Sequence, residues 1–157
     1  MAIYFGKNKV AGNFLEDKSI MTLYKSDRFS VNLSTQYTAV ALPLTEYTVC
    51  GKKLTYSSNA VKIGNGVSKV LVSASIGMWN SPTAGEFGLQ IYRNDQRVGM
   101  GFGNHANGEI WGMSVPPVLV DVVEGDLIKL MVSSSATGTH NFLTDDKAVN
   151  LTVQVVE

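Results

Sequence analysis

Residues 118–132 read Val-Leu-Val-Asp-Val-Val-Glu-Gly-Asp-Leu-Ile-Lys-Leu-Met-Val. On both sides of Glu124-Gly125-Asp126 the apolar residues alternate, the two-residue period of a strand that buries one face. Glycine tolerates positive φ and aspartate bonds nearby amides, so the central cluster marks a turn. The stretch reads as a hairpin turning on Gly125. Upstream, Phe87–Arg93 runs into Asn94-Asp95-Gln96 and returns through Arg97-Val98, a second hairpin. Along residues 70–78, Val70, Val72, Ala74, Ile76 and Met78 share one face and Leu71, Ser73, Ser75 and Gly77 the other. Residues 149–157, Val-Asn-Leu-Thr-Val-Gln-Val-Val-Glu, alternate most regularly. Such a strand belongs in the middle of a sheet, because a flat apolar edge invites association.

Continued along the chain, this reading predicts about eight to ten short strands and no helix longer than two turns. Pro116-Pro117 is expected to end a strand or switch it between sheets, since proline lacks the ladder N–H. The composition agrees, with 19 Val, 15 Gly, 14 Ser and 11 Thr among 157 residues. The fold class is all-β, an antiparallel two-sheet sandwich or jelly roll of one domain. Charged residues make up 17% of the chain, below the ~25% of an average soluble domain. Either something other than charge keeps the chain soluble, or part of its surface is covered by a partner. Thirteen basic and thirteen acidic residues leave no net charge, which excludes a strongly basic nucleic-acid binder. No apolar run has the length of a signal peptide or a membrane span, so synthesis in a cytoplasm and no membrane insertion are expected. Cys50, the single cysteine, lies in the apolar Tyr47-Thr-Val-Cys50 and reads as a buried thiol.

Residues 1–27 differ from the remainder of the chain, mixing charge with short apolar clusters, Ile3-Tyr4-Phe5 and Ile20-Met21-Thr-Leu23-Tyr24. Neither is long enough for a core, so the segment either gains order by docking or is a plain disordered or first-strand N-terminus; docking is the reading taken, with residues 28–157 forming the domain.

The order of segments adds specificity. A Ser-Ala-Ser-centred strand (Lys69–Met78) precedes Leu89-Gln-Ile91-Tyr-Arg-Asn94. Then come Val118-x-Val120 with Glu124-Gly125-Asp126 and the alternation to Val132, and a last strand at Leu151–Val156. This order resembles the C1q/TNF-like jelly roll over roughly residues 28–157. The resemblance implies a non-enzymatic homotrimer. The collagen repeat, signal peptide and aromatic before the Ser-Ala-Ser strand of the animal proteins are missing, Val70-Leu71 standing at the last of these. A cysteine-poor jelly roll with a short leader is similar to trimeric head-fibre, capsid-decoration and receptor-binding knobs of tailed bacteriophages. That similarity implies localisation to the virion and docking on a virion structural protein through the N-terminus. Ile3, Tyr4, Phe5, Val10, Phe14 and Leu15 are the apolar residues that would carry the attachment. The absence of a shaft favours capsid decoration over a distal fibre tip.

Catalytic patterns are sparse. His105 and His140 lack metal-ligand spacing, and no Gly-x-Ser-x-Gly elbow occurs. Gly99-Met-Gly101-Phe-Gly103 lacks the third glycine of a dinucleotide fingerprint, so no cofactor is expected; it reads as a strand end that another backbone approaches. Asp121, Asp126, Asp145 and Asp146 read as solvated turn carboxylates, with loop calcium the alternative. Asn32-Leu-Ser34 and Asn150-Leu-Thr152 match the glycosylation pattern by chance.

The segment Met100–Trp111 reads as a loop bearing Phe102, Asn104, His105, Asn107, Glu109 and Trp111, and Trp79 sits in another. Exposed indoles beside amides form a sugar platform, whereas buried ones cap a core or meet a trimer neighbour. All three remain open at this level. The second functional reading is accordingly a lectin-like module that recognises a host cell-surface glycan through Trp79, Phe102, Asn104, His105 and Trp111.

Overall fold

The computed structural model describes residues 4–5, 8–9, 18–79, 84–106 and 108–157. Two short strands, β1 (Tyr4–Phe5) and β2 (Asn8–Lys9), pair with each other. Next along the chain come β3 (Ile20–Tyr24), β4 (Phe29–Leu33), β5 (Val40–Ala41), β6 (Glu46–Cys50), β7 (Leu54–Ser57) and β8 (Ala60–Ile63). The longer strands are β9 (Lys69–Met78), β10 (Gly85–Arg93), β11 (Gln96–His105), β12 (Trp111–Asp121) and β13 (Leu127–Ser134). Finally β14 (Gly138–Leu143) and β15 (Asn150–Val155) flank a three-residue 3-10 turn at Asp145–Lys147.

A six-stranded sheet runs β11-β10-β13-β8-β7, with β5 also on β13. A seven-stranded sheet runs β4-β14-β9-β15-β3-β6, with β12 also on β9. Their ladders are antiparallel. Between the sheets lie the residues that alternation assigns to the core, among them Val70, Val72, Ile76 and Met78 of β9, Leu89 and Ile91 of β10, and Leu151 and Val153 of β15. The terminal strand is interior, between β9 and β3, and Phe87–Val98 is a hairpin turning at Asn94-Asp95.

Four expectations are corrected. Residues 118–132 are two strands but not a hairpin: β12 pairs with β9 of one sheet, while β13 pairs with β10, β8 and β5 of the other. Glu124-Gly125-Asp126 therefore carries the chain across the sandwich. Gly125, at φ +91°, takes the left-handed conformation this requires. Val120 and Val122 point into the core from one side, Ile128 and Leu130 from the other. Secondly, Pro116-Pro117 does not end a strand; β12 continues with a bulge between Val115 and Val118.

The boundary at residue 28 also falls too late. Ile20–Tyr24 is an interior strand between β15 and β6, with Met21 and Leu23 fully buried. Five residues suffice because neighbours on both sides complete their ladders. Lastly, Cys50 is exposed, because β6 is the edge strand of its sheet.

Both long margins of the sandwich are closed. Tyr47 of β6 stacks on Tyr56 of β7, ring centroids 5.4 Å apart. On the other margin β11 crosses close to β12, and a Cβ at Gly101 would stand 2.5 Å from the Ser114 carbonyl oxygen. The glycine alternation of residues 99–103 thus serves a backbone approach.

Candidate functional site

The residues singled out around Met100–Trp111 fall on two sides of one ladder. In β10 and β11, Phe87 pairs with Gly103, Glu86 with Asn104 and Gly88 with Phe102. Alternation sends Phe87 into the core and Glu86, Asn104 and Phe102 outward. Strand β11 continues through His105, so the expected loop shrinks to the residues before Trp111.

On the inner side, Phe87 is the hub of an aromatic cluster. Its ring meets His140 at 5.5 Å, Trp111 at 6.1 Å, His105 at 6.2 Å and Phe142 at 6.3 Å, all edge-on. The two histidine rings, 35 residues apart in sequence, lie edge-on with centroids 6.0 Å apart. His140 is fully buried, and its Nε2 stands 3.1 Å from the Ala136 carbonyl oxygen, so that nitrogen carries a proton and donates. Burial is the main influence lowering the His140 pKa, and His105 adds to it against the Ala136 carbonyl. His105 is 5% exposed and its buried Nε2 has no hydrogen-bond partner among the described residues.

His105 is therefore a core group rather than the rim of a binding surface. Trp111 packs edgewise on Phe87, with its six-membered ring over Gly103, where any Cβ would collide with it. Of the open readings for the indoles, core capping describes Trp111. Trp79 is half-buried under Arg28, whose guanidinium lies 5.1 Å from the ring centre. Asn107 and residues 80–83 lie outside the described residues. So do Ile3, Val10, Phe14, Leu15 and the side chains of Tyr4 and Phe5.

The outward side forms a cleft that sequence reading finds only in part. Phe102, 67% exposed, and Asn104 stand beside Glu86. Glu86, Phe102, Gly103 and Asn104 line a cavity of about 380 Å3. Tyr37, on the chain between β4 and β5, donates its hydroxyl to Glu86 Oε2 at 3.1 Å and is itself exposed. The Glu86 carboxylate, through that hydrogen bond above all, raises the Tyr37 pKa. Sequence reading misses Tyr37 and Glu86 because 49 residues separate them.

Elsewhere, Asp126 is not a solvated turn residue. Its carboxylate accepts from Arg93 Nε at 2.6 Å, Asn94 Nδ2 at 2.7 Å and the Val123 amide at 2.9 Å. Asp121, Asp145 and Asp146 are exposed, and no group of three or more metal-ligating side chains is assembled among the described residues.

No protein-family model and no curated protein matches the chain. Solved structures do. Murine APRIL at pH 8.5 superposes with a TM-score of 0.63 at 10% identity, covering 88% of this chain and 99% of that one. The same protein at pH 5.0 gives 0.62 at 8% identity with the same coverage. Eiger TNF from S. frugiperda gives 0.57 at 12% identity, covering 89% and 92%. The fold is a TNF-like jelly roll, as the order of strand motifs implies.

Proposed function

We propose that the chain is a non-enzymatic structural module of a bacteriophage virion, a head-fibre or capsid-decoration protein forming an exposed homotrimer anchored by its N-terminal segment. The observation that carries the assembly is the outward face of the seven-stranded sheet. Its register sets Leu119, Leu71, Gln154 and Ile20 in one row and Ser114, Ser75, Asn150 and Tyr24 in another. Between them lie Ser73, Thr152 and Thr22. None of these is charged, and their polar atoms pair within the face: Thr22 with Thr152 at 2.9 Å, Asn150 Nδ2 with Ser75 Oγ at 2.7 Å. The other sheet turns Lys62, Lys129 and Glu86 outward. Charge on this face stands at its ends, at Lys69, Asp121 and Glu46, and the uncharged middle is what another copy covers at little desolvation cost. The resemblance to C1q/TNF-like domains supports three as the number of copies.

Light scattering of the purified chain is expected to give a mass near three times 16.9 kDa. Ser73→Arg, which sets a charge in the middle of the face, is expected to give monomers, and Thr55→Arg on the opposite sheet to leave the trimer intact. A native monomer would overturn the assembly.

The virion role draws on the phage-like leader and on the low charge of the chain. Since Ile20–Tyr24 belongs to the sandwich, attachment is narrowed to residues 1–17, with Ile3, Tyr4, Phe5, Val10, Phe14 and Leu15 as its apolar contacts. A full-length Phe5→Ala/Phe14→Ala variant is expected to remain trimeric but to stop co-sedimenting with phage particles that lack the native chain. Undiminished co-sedimentation would remove the leader from the attachment.

A further inference from the structure

We propose that the cleft on the outward face of β10 and β11 binds a neutral or amino saccharide between Phe102, Asn104, Glu86 and Tyr37. Four features of the cleft converge on that ligand. Phe102 is 67% exposed although it lies inside a strand, so its ring is held on a rigid backbone instead of a loop tip. Its partner in the ladder is Gly88, which offers no side chain to cover it. An open aromatic face fixed in this way matches the C–H face of a pyranose ring.

Beside it, Glu86 is held by its backbone. Glu86 is tied at its amide by Ser135 Oγ at 2.9 Å and at its carbonyl by the Ser134 hydroxyl at 2.9 Å and the Ser135 amide at 3.0 Å. Tyr37 then holds one carboxylate oxygen, and the other is placed to accept from a ligand hydroxyl. Asn104, opposite Glu86, supplies an amide that both donates and accepts. Polyols need this mixture of acceptors and donors around an apolar face; an apolar peptide side chain would leave those groups unpaired.

The cavity of about 380 Å3 is at the small end of ligand pockets, suited to a mono- or disaccharide. Among the described residues, Glu86 supplies the charge of its lining. A carboxylate in that position repels uronic and sialic acids and accepts neutral or amino sugars. The cleft lies on the other sheet from the uncharged patch, and it does not depend on the virion reading.

The test uses the full-length chain on an immobilised set of neutral, amino, uronic and sialylated oligosaccharides, with a peptide set alongside. Binding is expected to neutral or amino sugars. Phe102→Ala is expected to weaken it about tenfold, the worth of one stacked ring. Glu86→Gln should weaken it and relax the exclusion of acidic sugars. Thermal midpoint and solution mass serve as controls and are expected to stay unchanged in both variants, because the side chains are exposed. No sugar binding at millimolar concentration, preference for acidic sugars, binding of peptides alone, or binding indifferent to Phe102→Ala would each overturn the proposal.

Discussion

Asp126→Ala is expected to lower the unfolding free energy by about 3 kcal/mol, because a buried carboxylate gives up three hydrogen bonds at about 1 kcal/mol each. The change leaves the Arg93 guanidinium, the Asn94 amide and the Val123 N–H without their acceptor at the point where the chain crosses from β12 to β13. Asn94 also accepts from the Leu127 amide at 2.9 Å, so the hairpin turn of β10–β11 is tied to the same crossing. At this size the loss amounts to roughly 10 °C in the thermal midpoint. Asp126→Asn keeps an acceptor and should lose about half as much. Burial is the strongest single influence on the Asp126 carboxyl and pushes its pKa up. The Val123 amide, Asn94 and Arg93 together outweigh it, and the value lies below the ordinary one. With the folded pKa lowered, this stabilisation is present above the unfolded value near 3.9 and is lost as pH falls through the folded one. Denaturation at a series of pH values checks both points. A midpoint for Asp126→Ala within a degree of the native chain would reduce the carboxylate to a surface turn.

Mild acid is expected to weaken the fold well before Asp126 titrates. Burial keeps His140 neutral in the folded chain, whereas in the unfolded chain it takes up a proton near pH 6.5. Stability is therefore full above about pH 6.5 and falls as pH drops toward the lowered folded value, by at most about 1.4 kcal/mol per pH unit for one proton. Protonation would place a cation against His105 and the ring of Phe87. His140→Gln retains a donor for the Ala136 carbonyl and should flatten the dependence between pH 7 and 5 while lowering stability at pH 7.5. An unchanged slope in that variant would show that the acid response arises elsewhere.

The legible parts of this fold are those whose physics is local. The alternation of Val70, Val72, Ala74, Ile76 and Met78 allows one buried face, and the structure buries that one. Asn94-Asp95 between two alternating runs closes a true hairpin. The Glu124-Gly125-Asp126 turn looks the same in sequence, yet its flanking strands enter different sheets. A crossing and a hairpin both keep the two-residue period; they differ in which distant strand supplies the partner. Ile20–Tyr24 reads as a docking segment because five residues among charges cannot order themselves, and β15 and β6 supply the order.

The binding residues divide in the same way. Phe102 and Asn104 are surface groups, as their polar, glycine-rich run suggests. His105, in the same run, is buried by Phe87, Trp111 and His140 from three other strands. Tyr37 and Glu86 complete the cleft from positions whose nearness no spacing expresses.

By itself the sequence determined that this chain is an antiparallel two-sheet jelly roll of charge-poor composition, because side-chain period and turn chemistry act between neighbours. Only the tertiary structure decided which strands share a sheet, that uncharged residues gather in the middle of one face, and that one histidine pair lies inside while a phenylalanine stays out. Those outcomes depend on strand pairing between residues tens of positions apart, and burial is set by the pairing.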